Sequence, residues 1–473
     1  MQATSLNFRA NAQRAMTDEN LVGALGKMKE GFRTRRAAAR EALPEFDDLR
    51  DQAKALKDHV LENLDWYLER FEAQVLAKGG HVHWCKDAEE ARQTVLKICR
   101  DAEAKTVTKG KSMISEEIGL NSFLEGQGIA PVETDLGEYI IQLRHEPPSH
   151  IIAPAIHVRQ HQVSEIFRKT HTDFDPDRPL EEVRELLDEA REVMRTSFLA
   201  ADVGITGANM LIAETGSTVI VTNEGNGDLT QILPKVHVVL ASLEKIVPSL
   251  DDAALILRLL ARSATGQDMS AYTTFSTGPR RAEDPDGPEA YHVILLDNGR
   301  TDMLGSEFQD MLRCIRCGAC MNHCPVYGSV GGHAYGWVYP GPMGAVLTPS
   351  LIGIENAAPL PNASSLCGRC EAVCPMRIPL PKMLRAWRDR EFEQGLTPKT
   401  ARWGLALWSF FASRPGLYRL STRWGARILR LMGAKKGHIR SVGLPNGWTM
   451  VRDIPVPQGR TFMDQIAARQ KGA

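Results

Sequence analysis

No run of 18 or more uninterrupted apolar residues occurs in this sequence, so no membrane-spanning helix is expected. The opening residues, MQATSLNFRANAQRAM, lack the apolar core of an export signal, which predicts a cytoplasmic protein. Net charge is only −1, so no whole-molecule field draws the chain toward nucleic acid or membrane. Glycine patterns for nucleotides are incomplete. Gly110-Lys111-Ser112 imitates the end of a phosphate-binding loop, but Lys105 stands where its first glycine belongs. Gly225 and Gly227 begin a dinucleotide fingerprint that Thr230 breaks. Cysteines outside two short stretches number only two, Cys85 and Cys99, which excludes a disulfide scaffold. Both read as structural, Cys99 on the buried side of a helix beside Val95 and Ile98.

The other seven cysteines carry the strongest signal. Cys314, Cys317, Cys320 and Cys324, followed by Pro325, are spaced C-x2-C-x2-C-x3-C-P, the bacterial ferredoxin signature. Cys367, Cys370 and Cys374, followed by Pro375, repeat its second half. In two-cluster ferredoxins the last cysteine of each run serves the other cluster. The first cluster would then use Cys314, Cys317, Cys320 and Cys374, and the second Cys324, Cys367 and Cys370. Position 364, where the eighth ligand belongs, holds Ser364. Ser364 or water completing a four-iron cluster, a distant cysteine, or a three-iron cluster all remain open. Zinc prefers paired C-x2-C spacings with four ligands and fits seven cysteines poorly.

Hydrophobic and charged residues, 43% and 24%, are ordinary for a globular protein of two to four domains. A helical stripe, Val60, Leu64, Tyr67, Leu68, Phe71 and Val75, closes a helical N-terminal region, 1–78, whose first 45 residues are polar and basic with few apolar anchors. From 79 to 300, strand-like stretches (81–84, 105–108, 130–134, 236–240, 292–296) alternate with helical ones (87–102, 116–127, 180–198). This alternation predicts an α/β domain with a mostly parallel sheet. Residues 210–213 and 217–222 flank Glu214-Thr215-Gly216 as a hairpin. Residues 301–382 form a small helical cysteine module whose 331–342 loop, rich in Gly, Pro and aromatics, is expected to be ordered. The tail, 383–473, is basic: from Pro381 onward it holds 18 Lys+Arg against 5 Asp+Glu, about +13 against −14 for the rest. Arg402, Arg414, Arg419, Arg423, Arg427 and Arg430 alternate there with Trp403, Trp408, Phe410, Phe411 and Trp424, on two helices parted at Pro415-Gly416. Such a surface suits, in order, a partner subunit, membrane headgroups and nucleic acid.

The stretches CIRCGAC (314–320), GGHAYGWVYPGPMGAVLTP (331–349) and SSLCGRCEAVCP (364–375) closely resemble the lactate utilisation protein B family. KGKSMISEEIGLN (109–121), ETDLGEYIIQL (133–143) and GITGANMLIAETGSTVIVTNEGN (204–226) are similar to the lactate-utilisation domain that this family shares with a companion subunit. The resemblance spans nearly the whole chain, and Ser364 agrees with it. It implies a fold like ribose-5-phosphate isomerase and CoA-transferases for the upstream domain. It also implies a ferredoxin-like electron carrier in a system oxidising L-lactate to pyruvate, with two partners: a cysteine-rich redox subunit and a second lactate-utilisation-domain protein. Competing readings are a subunit oxidising another 2-hydroxy acid such as glycolate, a nucleic-acid-binding protein with structural clusters, and an α/β module with isomerase-like activity of its own.

Weaker candidates are read structurally. His145, His150, His157 and His161 are surface or structural histidines, since no Glu follows His157 as a zinc-protease motif requires. Lys111, Glu116, Glu117, Asp135, Glu138 and Glu214 gather near strand ends, where α/β sheets bind ligands. Caps and turns, with Ser115 as an N-cap, account for them more simply, so no catalytic residue is assigned. His323 and His333 flank the cysteines, either bonding sulfur or lying exposed.

Overall fold

The computed structural model describes residues 3–440 and 453–471. Ten strands build its α/β region: β1 His81–Cys85, β2 Thr106–Lys109, β3 Ala130–Glu133, β4 Val203–Gly207, β5 Met210–Ile212, β6 Ser217–Thr222, β7 Val236–Ser242, β8 Ile246–Val247, β9 Tyr272–Ser276 and β10 Ala290–Leu296. Six of them form one parallel sheet in the order β1-β10-β7-β4-β2-β3. A parallel sheet covered on both faces needs nearly continuous apolar strands. The central ones supply them: Val238, Val239 and Leu240 on β7 and Val293 to Leu296 on β10 are fully buried. After β2 the chain moves outward to β3, whereas after β4 it moves the opposite way through β7 to β10. The strand order therefore reverses between β2 and β4, the position where such sheets open a crevice. Gly204 on β4 permits close helix packing there, because a Cβ would lie 1.8 Å from the Thr230 carbonyl.

A second, four-stranded sheet, β8-β5-β6-β9, contains the expected hairpin, with Ile212 opposite Ser217 and Gly216 at φ +67° in the turn. The stripe from Val60 to Val75 is buried throughout, although the chain breaks at Asn63 into helices Phe46–Glu62 and Leu64–Ala77. Helix Ala88–Asp101 begins at Asp87, whose carboxylate accepts from the N–H groups of Glu89 and Glu90. The single helix expected over 116–127 is two, Met113–Glu117 and Leu120–Glu125, because Gly119 takes the left-handed conformation between them. Ser112, not Ser115, caps the first: its hydroxyl accepts from Ser115 N at 3.2 Å.

The N-terminal region differs most from its polar appearance. Helix Glu19–Glu41 sends Leu25 and Met28 into one core with Phe46 and Leu49, with Ile212 and Ile256 of the α/β region, and with Tyr327, Trp337 and Leu384 of the cysteine module, and Phe8 and Ala12 of helix Phe8–Thr17 pack against it. Few anchors suffice because the cysteine module is itself almost wholly apolar inside. Residues up to Gln394 form one compact unit, with no parting at 300 or 382. Helix Leu380–Glu393 belongs to this unit, and its Trp387 donates to the Val346 carbonyl on helix Gly341–Ile352. The 331–342 loop is ordered, as expected. Gly332 abuts the Ser149 carbonyl and Gly336, at φ +71°, lies against Thr4 and Ser5.

Residues from Gly395 onward make a second unit. Its helices Lys399–Ala412 and Pro415–Gly433 expose Trp403 (77%), Trp408 and Leu431 (77%). No helix among the described residues is long and apolar enough to cross a membrane.

Candidate metal centre and adjoining cavity

The two cysteine stretches fold as a repeat. In each, a non-glycine residue takes positive φ (Arg316 +58°, Leu366 +53°), a glycine follows (Gly318 +73°, Gly368 +79°), and one helical turn comes next (Ala319–Asn322, Arg369–Ala372). This turn points backbone N–H groups at sulfur. Cys317 accepts from Ala319 and Cys367 from Arg369, while Cys324 accepts from Tyr327 N at 3.5 Å. Such N–H···S bonds stabilise thiolates bound to iron.

Electrostatic influence among the thiols runs mostly, though not wholly, within the two expected groups. Burial pushes Cys317 up to about 12, with Cys374 and then Cys314 adding to it. Burial raises Cys320 strongly, with Cys314 and Cys317 and then Cys370 and Cys374 adding to it. Cys374 rises to about 11 from burial, with Cys314 contributing. In the other group, burial and then Cys324 push Cys370 to about 12. Cys324 is raised by burial and feels Cys367. Cys367 alone is exposed, and the Arg369 N–H holds it below its usual value. Buried thiols that raise one another this way are poor homes for bare thiolate. A bound cation removes the conflict.

Three further observations fit an iron–sulfur cluster. Cys314, Cys317, Cys320 and Cys374 line one small cavity of about 20 Å³ among apolar neighbours such as Met343 and Leu380. The buried Tyr335 hydroxyl has no hydrogen-bond partner among the described residues, and it lies where Cys324, Cys320 and Cys370 act on it. A cluster sulfur would satisfy it. Two buried arginines from the N-terminal helices close over the first group: Arg36 donates to the Val373 carbonyl (2.7 Å) and Arg50 to the Cys374 carbonyl (2.7 Å). The sequence gave no signal for these two beyond the basic run around them.

Ser364 occupies in the second loop the place of Cys314 in the first. Its Oγ accepts from Leu366 N at 3.1 Å, so the hydroxyl sits inside its own turn. His323 donates from Nδ1 to the Ala319 carbonyl and His333 from Nε2 to the Pro147 carbonyl, and among the described residues neither bonds a cysteine sulfur. Cys99 and Cys85 are buried in the sheet's own core, away from the module.

The residues near the strand ends separate. Lys109 is fully buried against Glu116 (2.8 Å) and Glu133 (2.7 Å), with Glu138 beside them. Burial, followed by Glu133, raises Glu138 far above the carboxylate range, which suits a protonated acid donating to its neighbour. Glu117 pairs with Arg300 at 2.7 Å and accepts from the Tyr339 hydroxyl. Glu244 pairs with Arg300 (3.1 Å) and Arg316 (3.2 Å). This buried network bolts the first cysteine loop to the α/β domain. Asp135 caps helix Leu136–Leu143. Glu214 stands apart, accepting from Leu250 N at 3.4 Å. Of the histidines, His150 is structural, with Nδ1 accepting from Ile152 N and Nε2 meeting Asn322 at 3.0 Å, and burial lowers it to about 3. His157 pairs with Glu146.

At the β2/β4 reversal lies a cavity of about 240 Å³. Lys111, Asp135, Asn209, Glu224, Lys245 and Arg316 supply its polar lining. Arg316, between Cys314 and Cys317, also lines the cavity of the first thiol group.

Comparison with known proteins agrees with this layout. Residues 68–296 match the LUD domain, 310–378 the 4Fe-4S dicluster domain, and 369–471 the lactate utilisation protein B C-terminal domain. Lactate utilization protein B of Bacillus velezensis is 41% identical over 473 residues, covering 100% of this chain and 98% of the relative. The Bacillus subtilis protein of the same name is 41% identical over 465 residues, 98% of this chain and 96% of the relative. The chain belongs to the lactate utilisation protein B family. An Escherichia coli relative described as the uncharacterized electron transport protein YkgF is 39% identical over 471 residues, 99% of this chain and 98% of the relative. As a member of the family, the chain is an iron–sulfur protein of lactate utilisation, and its dicluster domain accounts for the seven-cysteine module. The lactate utilisation protein B match that starts at residue 369 also joins the last cysteine turn to the exposed tail helices.

Proposed function

We propose that this chain is the electron-transfer subunit of a cytoplasmic system that oxidises L-lactate to pyruvate. Cys314, Cys317, Cys320 and Cys374 would hold one cluster; Cys324, Cys367 and Cys370, with Ser364 as the candidate fourth ligand, the other. The supporting observation is that Cys374 lines one cavity with Cys314, Cys317 and Cys320, whereas Cys324 and Cys367 act on Cys370, and of all seven only Cys367 is exposed. Each cluster, when bound, takes and returns one electron at a time. Lactate oxidation yields two electrons and two protons, so a pair of one-electron carriers divides it into single transfers. The protein's own residues set the terms. Apolar neighbours line the first group, Arg36 and Arg50 would offset the negative charge of a thiolate-bound cluster, and the Glu117–Arg300–Glu244–Arg316 network fixes the loop that carries it.

The upstream domain is read as the ribose-5-phosphate isomerase/CoA-transferase-like fold. The partners are a cysteine-rich redox subunit and a second lactate-utilisation-domain protein, with the exposed aromatic and basic tail helices as their docking face. The test is anaerobic reconstitution followed by iron counting and EPR, with partner subunits and L-lactate or glycolate as reductant. Lactate-dependent cluster reduction that requires the partners supports the reading. A redox-silent protein overturns it, and a preference for glycolate reassigns the substrate.

A further inference from the structure

The β2/β4 cavity has a polar lining that the electron-carrier reading does not use. We propose that it binds a small hydroxy- or oxo-carboxylate monoanion beside the first cysteine group. Lys245, just beyond β7, is the central observation. It lines the cavity, is 8% exposed, and among the described residues its ammonium makes no hydrogen bond or ion pair. An ammonium carries three donors, and leaving them unpaired in a nearly buried place is costly unless a ligand meets them. Asn209 adds a second open donor: its Oδ1 accepts from Val221 N at 2.9 Å, while its amide NH2 is unpaired among the described residues. Lys111 and Arg316 are already engaged, Lys111 with the Ile152 carbonyl and Arg316 with Glu244.

The acids of the lining narrow the ligand class. Lys111 lies 3.9 Å from Asp135 and Arg316 pairs with Glu244, so Lys245 is the one lining cation without an ion pair among the described residues. That suits a monoanion and disfavours a phosphate dianion. Either carboxylate can accept from a ligand hydroxyl, and Ile151, Ile220 and Leu260 offer room for a short apolar end. A volume of about 240 Å³ is below that of drug-sized sites and fits a molecule of a few carbons. The link to electron transfer rests on the proposed function; the binding itself does not.

The test uses the full reconstituted chain, without partners, titrated calorimetrically with L-lactate, pyruvate and inorganic phosphate. One of the two carboxylates saturates a single site and phosphate does not. Lys245→Met weakens that binding at least tenfold with iron content and EPR spectrum intact. Should Lys245→Met lose iron, Asn209→Asp decides the matter. It keeps the acceptor for Val221 N but replaces the open donor with a negative charge, and it also weakens binding at least tenfold. The proposal is overturned if neither carboxylate saturates, if phosphate binds better than both, or if the deciding variant binds like the parent. Reversible cluster reduction in the absence of any added anion tests the electron-carrier reading separately.

Discussion

The two thiol groups are built by the same turn yet placed in different surroundings. The first has four cysteines, an apolar enclosure and two buried arginines over its backbone. The second has three, one of them exposed, and a serine whose hydroxyl is held by its own loop. Repetition of sequence therefore does not make the halves equivalent. What separates them is contributed by distant residues: N-terminal arginines and the ion-pair network reach the first group, whereas the second faces outward. The contrast teaches that two loops of like spacing can meet unlike burial and countercharge, the factors that tune a bound cluster.

The largest expected effect comes from the exchanged cysteine. Cys374→Ala removes the first cluster and about four irons per chain, leaving the EPR signal of the second. Loss of both signals would mean that the halves fold as one centre. Acid attacks the first group through Glu244. Burial alone would raise that carboxyl, but Arg300 and Arg316 outweigh it and hold it near 2, against 4.5 for the free group. The folded value is depressed, so the contribution is present above about pH 4.5 and is lost as pH falls toward 2. Its size is up to about 3 kcal/mol. Denaturation followed from pH 5 to pH 2.5 should steepen for the parent and flatten for Glu244→Gln. Third, Arg50→Met removes a cation beside the first group and should lower that cluster's potential by roughly 60 mV, a tenfold change for one electron, without moving the second. Redox titration monitored by EPR measures it.

Smaller still, Ser364→Cys supplies the missing thiol and should slow loss of the second cluster in air, read from its visible absorbance. An unchanged decay would show that the fourth ligand does not limit that site. Least of all, Cys99→Ser should leave iron content unchanged, since Cys99 is fully buried in the sheet core. Loss of iron there would tie the sheet's spare thiols to the centre.

Much of this arrangement was readable before any coordinates. Sheet strands such as VHVVLA and YHVILL announce themselves as apolar runs, and the cysteine spacing announces the dicluster domain that residues 310–378 match. What stayed hidden depends on contacts between residues far apart in the chain. Arg36 and Arg50 look like ordinary surface residues, because helix periodicity does not say what a helix will pack against. Lys245 follows a strand without any motif, and only the reversal of strand order beside Arg316 gives it a cavity to line. Ser115 is no cap because it lies within the turn that Ser112 caps, where its hydroxyl donates back to the Ser112 carbonyl. The one-helix reading of 116–127 failed at Gly119, where periodicity continues but the backbone does not.

The clasp made by Arg36 and Arg50 has a consequence for biogenesis. These side chains reach the carbonyls of Val373 and Cys374, more than 320 positions later in the chain. A ribosome releases the N-terminal helices long before the loop they grip exists, so they must wait unpaired while most of the polypeptide emerges. Iron loading is thus paired with the end of synthesis: the cage around the buried centre can shut only once both ends of the first unit have met.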